Sequence, residues 1–246
     1  MTGLRMRTAI QLAVEQAPWP EHVSWVVEAE RLGVDHCWVA EAWGGDAATP
    51  IAGLSQHVER MTFGSGIFQV GGRSAANTAM TALTLQHITG GRFSLGLGAS
   101  GPQVVEGLHG VPFARPLTRM RETIEVVRMA EAGERLAIDG EQIRLPLPGG
   151  EGKALRLALR PPTGSDHPPL PIYIASLSPR MLALTGEVAD GWLGTSFVPE
   201  GAASSFDALT AGAQRAGRSL TDLDLCQGAE VAFARDEADL AAMVDT

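Results

Sequence analysis

Short apolar runs of β character alternate with amphipathic stretches along almost the whole chain, the pattern of βα units built around a parallel sheet. The first run, Thr8–Val14, leads into a helix over Glu21–Leu32 that Gly33 closes, because helices often end on a left-handed residue. Asp35–Ala40 predicts the second strand. Thr49 and Pro50 predict the next helix start, a capping hydroxyl followed by proline at the first helical position, and Ile51, Leu54 and Val58 recur at helical spacing. Met61–Phe68 predicts strand three. Ser74 caps a helix that Gly90 and Gly91 end, and Arg92–Leu97 predicts strand four. The next helix, Leu117–Ala132, carries Leu117, Met120, Ile124 and Val127 on one face.

Over residues 133–170 the alternation lapses. Ile138–Glu141 predicts a hairpin turn, and the segments PLPGGEGK and RPPTGSDHPPLP are rich in loop formers. This stretch reads as an insertion within one domain spanning residues 1–246. Pro171–Ala175 restarts the pattern as strand five, with its helix opening at Ser178 and Pro179. Asp190–Thr195 is strand six, followed by a helix over Gly201–Ala216 that Gly217 stops. Leu223–Ala234 is strand seven, and Asp236–Val244 opens a last helix. A (β/α)8 barrel usually takes about 250 residues, and here the insertion uses the room an eighth strand would need. The expected fold class is therefore α/β, either a barrel truncated at its C-terminal side or a sheet that stays open.

Composition narrows what such a fold does. With 45% apolar residues the chain has a core to bury, and no apolar run approaches the ~20 residues of a membrane span. Its 28 acidic and 19 basic side chains give a formal charge of −9, without the basic stripe of a nucleic-acid binder. Cys37 and Cys226 are too few for a disulfide framework. The opening MTGLRMRTAIQLAV lacks a small-residue cleavage site and reads as a first strand, so a cytoplasmic location is expected. Lys153 is the one lysine and lies in the insertion, which disfavours Schiff-base chemistry on a strand-borne lysine. His22, His36, His57, His87, His109 and His167 form no paired-ligand spacing, and no metal site is expected. No Gly-x-Ser-x-Gly elbow is present.

Candidate chemistry gathers at the strand exits. Gly96-Leu97-Gly98-Ala99-Ser100-Gly101 matches G-x-G-x-x-G, but Pro102 follows where a dinucleotide site needs a helix, and Glu122 falls inside a helix. The glycines read better as places where backbone approaches a flat ligand. After strand five, Ser176-Leu177-Ser178-Pro179-Arg180 offers either an anion site at a helix start or a plain cap at Ser178. After strand two, Glu41, Trp43 and Asp46 put carboxylates and an aromatic where barrel enzymes carry catalytic groups; the structural alternative is that Trp43 packs under a loop and Asp46 caps a helix. Gly64-Ser65-Gly66-Ile67 suggests unusual backbone at the exit of strand three.

Three segments, VAEAWGGDAATP, LGLGASGPQVVEGLHGVPF with PLTRMRETIEVVR, and PIYIASLSPRMLALTGEVADGWL, resemble the luciferase-like monooxygenase superfamily, most closely its deazaflavin-dependent branch. The resemblance covers nearly the whole chain. It implies a TIM barrel of the luciferase-like type, with about seven strands present, that binds coenzyme F420 or FMN at the strand C-termini. It implies that Gly64, Ser65, Gly66 and Ile67 form a bulge, usually with a non-prolyl cis peptide, behind the cofactor ring. Ala99, Ser100 and Gly101 would line the cofactor pocket, and Ser176, Leu177 and Ser178 would hold the cofactor phosphate. Glu41, Trp43 and Asp46 would stand as the catalytic group near ring and substrate. Relatives often carry tryptophan where Leu108 stands, which alters the substrate wall. The implied activity is hydride transfer between coenzyme F420 and a small organic substrate in a homodimer. An FMN-dependent monooxygenase using O2, and a non-catalytic fragment or partner subunit, are the alternatives.

Overall fold

The structure is a computed structural model that describes residues 6–159, 169–194, 201–229 and 234–237. Its first units are β1 (Ala9–Leu12), α1 (Trp19–Arg31), β2 (His36–Val39), α2 (Ala48–Leu54), β3 (Thr62–Ser65), β4 (Phe68–Gln69), α3 (Ala75–Ile88) and β5 (Phe93–Gly98). There follow α4 (Pro102–Val105), α5 (Pro116–Glu131), the hairpin strands β6 (Ile138–Asp139) and β7 (Arg144–Leu145), β8 (Ile172–Ala175), α6 (Pro179–Val188), β9 (Gly191–Gly194), α7 (Ala202–Arg215) and β10 (Asp224–Gln227). The main sheet runs β1-β2-β3-β5-β8-β9-β10, with β4 joined to the end of β5. Every pairing in it is parallel.

Alternation along each strand divides the sheet into two faces. Cys37 and Val39 of β2, and Ile172 and Ile174 of β8, turn outward into the main core beneath the helices. There Met120, Ile124 and Val127 of α5 are buried, each stabilising the layer by about 1.5–3 kcal/mol. Trp38, Tyr173 and Leu193 turn inward and meet, with Ile67, Ala175 and Cys226 packed on them. Since β3 and β5 separate β2 from β8 in the sheet, that contact requires the sheet to curl. The Arg7 guanidinium, just before β1, pairs with Asp224 of β10, so the two edges approach each other at the N-terminal end of the strands. The result is a partly closed barrel with about seven strands among the described residues.

Glycines on the inner face make room for the aromatics. A Cβ at Gly64 would fall 2.2 Å from the Trp38 ring, and one at Gly191 would fall 2.2 Å from the Tyr173 ring. On the outside, α6 and α7 touch backbone to backbone. A Cβ at Gly212 would lie 1.8 Å from the Ala183 carbonyl oxygen, and one at Gly186 would lie 2.0 Å from that of Leu209.

The expected elements recur with shifted ends. Ser74 caps α3 by accepting from Asn77 N, and Gly33, Gly91 and Gly217 take positive φ after α1, α3 and α7. Thr49 does not cap α2. The helix starts one residue earlier, and the Asp46 carboxylate accepts from Thr49 N at 2.8 Å. The run Met61–Phe68 is split into β3 and β4, and the cis peptide Gly66–Ile67 lies between them. The expected hairpin forms as β6–β7, and α5 holds it. Glu122 points its carboxylate at the turn and accepts from the backbone N–H groups of Glu141, Gln142 and Ile143 at 2.7–3.0 Å. Strand seven is shorter than expected, ending at Gln227. Thr195, residues 230–233 and residues 238–244 of the helix expected over Asp236–Val244 lie outside the described residues.

Candidate functional site

Because the sheet is parallel, the exits after β2, β3, β5 and β8 open at one end of the molecule. This collects Glu41–Asp46, Gly64–Ile67, Ala99–Gly101 and Ser176–Ser178 on a common rim. Beneath the rim the inner face is packed. The Trp38 and Tyr173 rings meet edge to face with centroids 5.1 Å apart, and His36 lies 4.1 Å from the Trp38 ring. Burial, with the neighbouring Arg7 cation, lowers the His36 imidazole to about 3. Its Nδ1 sits 2.6 Å from the Thr62 hydroxyl, while its buried Nε2 has no partner. Burial and the hydrogen bond to Asp224 push the Tyr173 phenol up. Burial also raises the Cys37 thiol to about 12, so it is no thiolate nucleophile at neutral pH.

The bulge after β3 is tied into the sheet through Ser65. Its buried hydroxyl accepts from Gly96 N at 3.0 Å and donates to Gly96 O at 2.9 Å. Gly66 N donates to Val39 O at 2.7 Å. The role expected for two of the motif glycines is corrected here. A Cβ at Gly96 would stand 1.9 Å from the Ser65 carbonyl oxygen, and one at Gly98 2.5 Å from Ile67 Cδ1, so both positions admit the bulge itself. The G-x-G-x-x-G run is also followed directly by a helix, contrary to expectation, but α4 is only four residues long. Gly101 precedes that helix, and Ser100 takes a positive φ of 58° at the turn.

At the exit of β2 the three candidates take different places. Glu41 is mostly buried and grips Arg73 in a two-pronged pair, with Nη2 at 2.8 Å and Nε at 3.1 Å. It also accepts from Ala47 N at 3.0 Å. The Arg73 guanidinium in turn lies 4.2 Å above the Phe68 ring. Asp46 caps α2 as described. Trp43 is 78% exposed and forms one wall of an open hollow of about 690 Å³.

Leu108, His109, Gln69 and Gly72 line the same hollow. The glycine leaves room for the His109 ring, whose Nε2 would be 2.7 Å from a Cβ there. Gln69 was not among the expected site residues. Its side-chain N–H donates to Ala42 O at 2.6 Å, and its buried Oε1 has no partner. A glutamine inside the apolar run IFQV was the available sequence signal. Arg73 was missed because its partner Glu41 is 32 residues away.

After β8 the residues also divide. The Ser176 hydroxyl is buried against Thr185 Oγ1 at 2.9 Å and turns toward α6. Leu177 is 61% exposed. Ser178 caps α6 by accepting from Met181 N at 3.4 Å. Pro179 has no N–H, and Met181 and Leu182 donate to Ser178, so the Arg180 N–H is the helix-start donor left to meet an anion.

Residues 3–245 match the family model described as luciferase-like monooxygenase. The chain is 40% identical over 237 residues to a Mycobacterium tuberculosis protein described as a coenzyme F420-dependent oxidoreductase, covering 95% of this chain and 68% of that one. It is 31% identical over 211 residues to the 5,10-methylenetetrahydromethanopterin reductase of Methanolobus tindarius, covering 85% of this chain and 60% of that enzyme. It thus spans about two thirds or less of these relatives' length. Among solved structures, the coenzyme F420-dependent tetrahydromethanopterin reductase of Methanopyrus kandleri superposes with a TM-score of 0.81 at 23% identity, over 94% of this chain and 68% of that one. That likeness concerns the fold.

Proposed function

We propose that this chain, which belongs to the luciferase-like monooxygenase family, is an oxidoreductase that moves a hydride between coenzyme F420 and a small organic substrate at the rim. The observation that carries the reading is the convergence on one rim of the bulge at residues 64–67, an unsatisfied buried acceptor and a capped helix start. These features fit a flat ligand with ring N–H donors and an anionic tail. When bound, the deazaflavin supplies a ring carbon that takes up or releases hydride, and the protein supplies orientation and a dry wall.

In this reading Gly64, Ser65, Gly66 and Ile67 back the ring, with Ala99, Ser100 and Gly101 beside it. The phosphate is held by the Arg180 backbone N–H at the start of α6 with the Ser178 hydroxyl. Leu177 and Ser176 shape that turn. Gln69 Oε1 accepts from a ligand N–H or O–H, which removes the cost of a buried unpaired oxygen. Trp43 and Leu108 give an apolar wall for the substrate. Hydride transfer at a carbon bearing oxygen requires a proton at that oxygen. Asp46 and His109 line the same hollow and can carry it, while Glu41 fixes Arg73 and the loop. The homodimer belongs to the same reading and is measured by light scattering.

Titration of purified protein with coenzyme F420 and separately with FMN, followed by equilibrium dialysis, tests the proposal. F420 is expected to bind at one site per chain. A folded sample that binds neither compound would overturn it. Oxygen consumption with reduced FMN would replace it by the monooxygenase reading, and a cofactor-free chain found only with a longer relative would point to a partner subunit.

A further inference from the structure

A groove between α5, α6 and α7 lies outside the hollow at the rim. It is an open hollow of about 460 Å³, and Leu117, Thr118 and Leu184 are among the residues that line it. Three guanidinium groups, Arg121, Arg180 and Arg215, line it with a single carboxylate, Glu187. Arg121 Nη1 is 2.8 Å from Glu187 Oε1, and Arg215 Nη2 is 3.8 Å from Glu187 Oε2. The Arg180 side chain makes no hydrogen bond or ion pair among the described residues. The groove therefore carries two uncompensated positive charges in a chain whose formal charge is −9. Elsewhere Arg31, Arg73, Arg115, Arg128 and Arg144 are each set against at least one carboxylate, while Arg92, Arg135 and Arg218 donate to backbone carbonyl oxygens.

The position of the groove matters as much as its charge. Arg180, Leu184 and Glu187 recur at i, i+4 and i+7 along one face of α6, a span of roughly 10 Å at 1.5 Å per residue. Arg180 belongs to the first turn of the helix that Ser178 caps, so the groove begins beside the helix start assigned above to the phosphate. It then runs away from the rim. The backbone contact of α6 with α7 at Gly186 and Gly212 fixes Arg215 beside Glu187.

We infer that this groove receives a chain of carboxylates extending beyond the phosphate of the bound cofactor, and so selects coenzyme F420 over FMN. The inference rests on the cofactor reading above. F420 continues past its phosphate into a lactyl group and a tail of glutamates, each adding a carboxylate, whereas FMN ends at the phosphate. Arg180 meets the tail first. Glu187 keeps Arg121 and Arg215 poised farther along, and a tail carboxylate adds to that cluster without unpairing it. Exposed ion pairs are individually weak and screened by salt, so the tail adds affinity in steps of at most about fivefold per pair.

The test is a binding series measured by equilibrium dialysis at low and at high salt. The ligands are long-tailed F420, F420 trimmed to a single glutamate, and the deazaflavin lacking phosphate and tail. Wild-type protein is expected to bind the long-tailed form about tenfold more tightly than the trimmed form at low salt, with the gap closing at high salt. Arg121→Gln with Arg215→Gln is expected to remove that gap while leaving the trimmed form's affinity within about twofold, whereas Arg180→Gln, at the near end of the groove, is expected to weaken both forms by up to about fivefold. If long and trimmed tails bind equally to folded wild-type protein, or the double variant keeps the gap, the groove is an ordinary ion-pair cluster and the inference falls while the cofactor reading stands. If no form of F420 binds, both fall. The wild-type arm decides the matter even if a variant fails to fold.

Discussion

His36 shows how one side chain sets a pH limit on the molecule. The folded protein holds its imidazole neutral down to about 3, against an ordinary value of 6.5, through burial and the nearby Arg7 charge. Between those values the unfolded chain binds a proton that the folded chain cannot. The contribution is therefore fully present above pH 6.5 and is lost as pH falls toward 3. Carboxylates held low, such as Glu28 through its hydrogen bond from Arg31, act only below their ordinary 4.5, so the interval from pH 6.5 to 4.5 isolates the histidine. Urea unfolding across that interval is expected to show stability falling by up to about 1.4 kcal/mol per pH unit, and His36→Gln is expected to flatten the fall. An unchanged slope in the variant would assign the acid sensitivity elsewhere. At the same scale, the Ser65 hydroxyl and the glycines at 96 and 98 could not be matched from sequence. Their complementarity joins residues about thirty positions apart, and only the β3–β5 pairing brings them together.

Helices were more legible than strands, for a local reason. A helix announces its ends in the residues that satisfy its own unpaired N–H and C=O groups, as Ser74 and Ser178 do at two starts and Gly33, Gly91 and Gly217 do after three ends. Thr49 misled because the helix starts before it, and the Asp46 carboxylate reaches past two residues to accept from the N–H of Thr49 itself. The end of strand three was hidden because an apolar run does not reveal a change of backbone direction at Gly66. The packing of α6 on α7 was equally silent, since Gly186 and Gly212 look like ordinary helix-weakening residues until the facing carbonyls are seen. They predict a clear effect. Gly212→Ala would force the helices apart, and chemical denaturation is expected to show a loss of about 1–3 kcal/mol, the usual cost of overpacking. A neutral substitution would mean that the two helices slide without penalty.

For the whole molecule, the parallel sheet explains why fold class and the location of the site could be read together. Once alternating βα units are recognised, every exit must face the same end, whatever the individual boundaries. The details on that rim were less accessible, because Glu41 with Arg73 and Gln69 with Ala42 depend on which loops become neighbours. One rim residue also equips the protein with an optical reporter. Trp38 and Trp192 are buried, whereas the Trp43 indole stands largely in water beside the hollow. Emission from Trp43 is therefore expected at longer wavelength and within reach of collisional quenchers such as acrylamide. Adding F420 should shield that red-shifted component and leave the blue-shifted one unchanged, and Trp43→Phe should abolish the response. Shielding that survives the substitution would place the ligand near Trp19 or Trp25, the other partly exposed indoles.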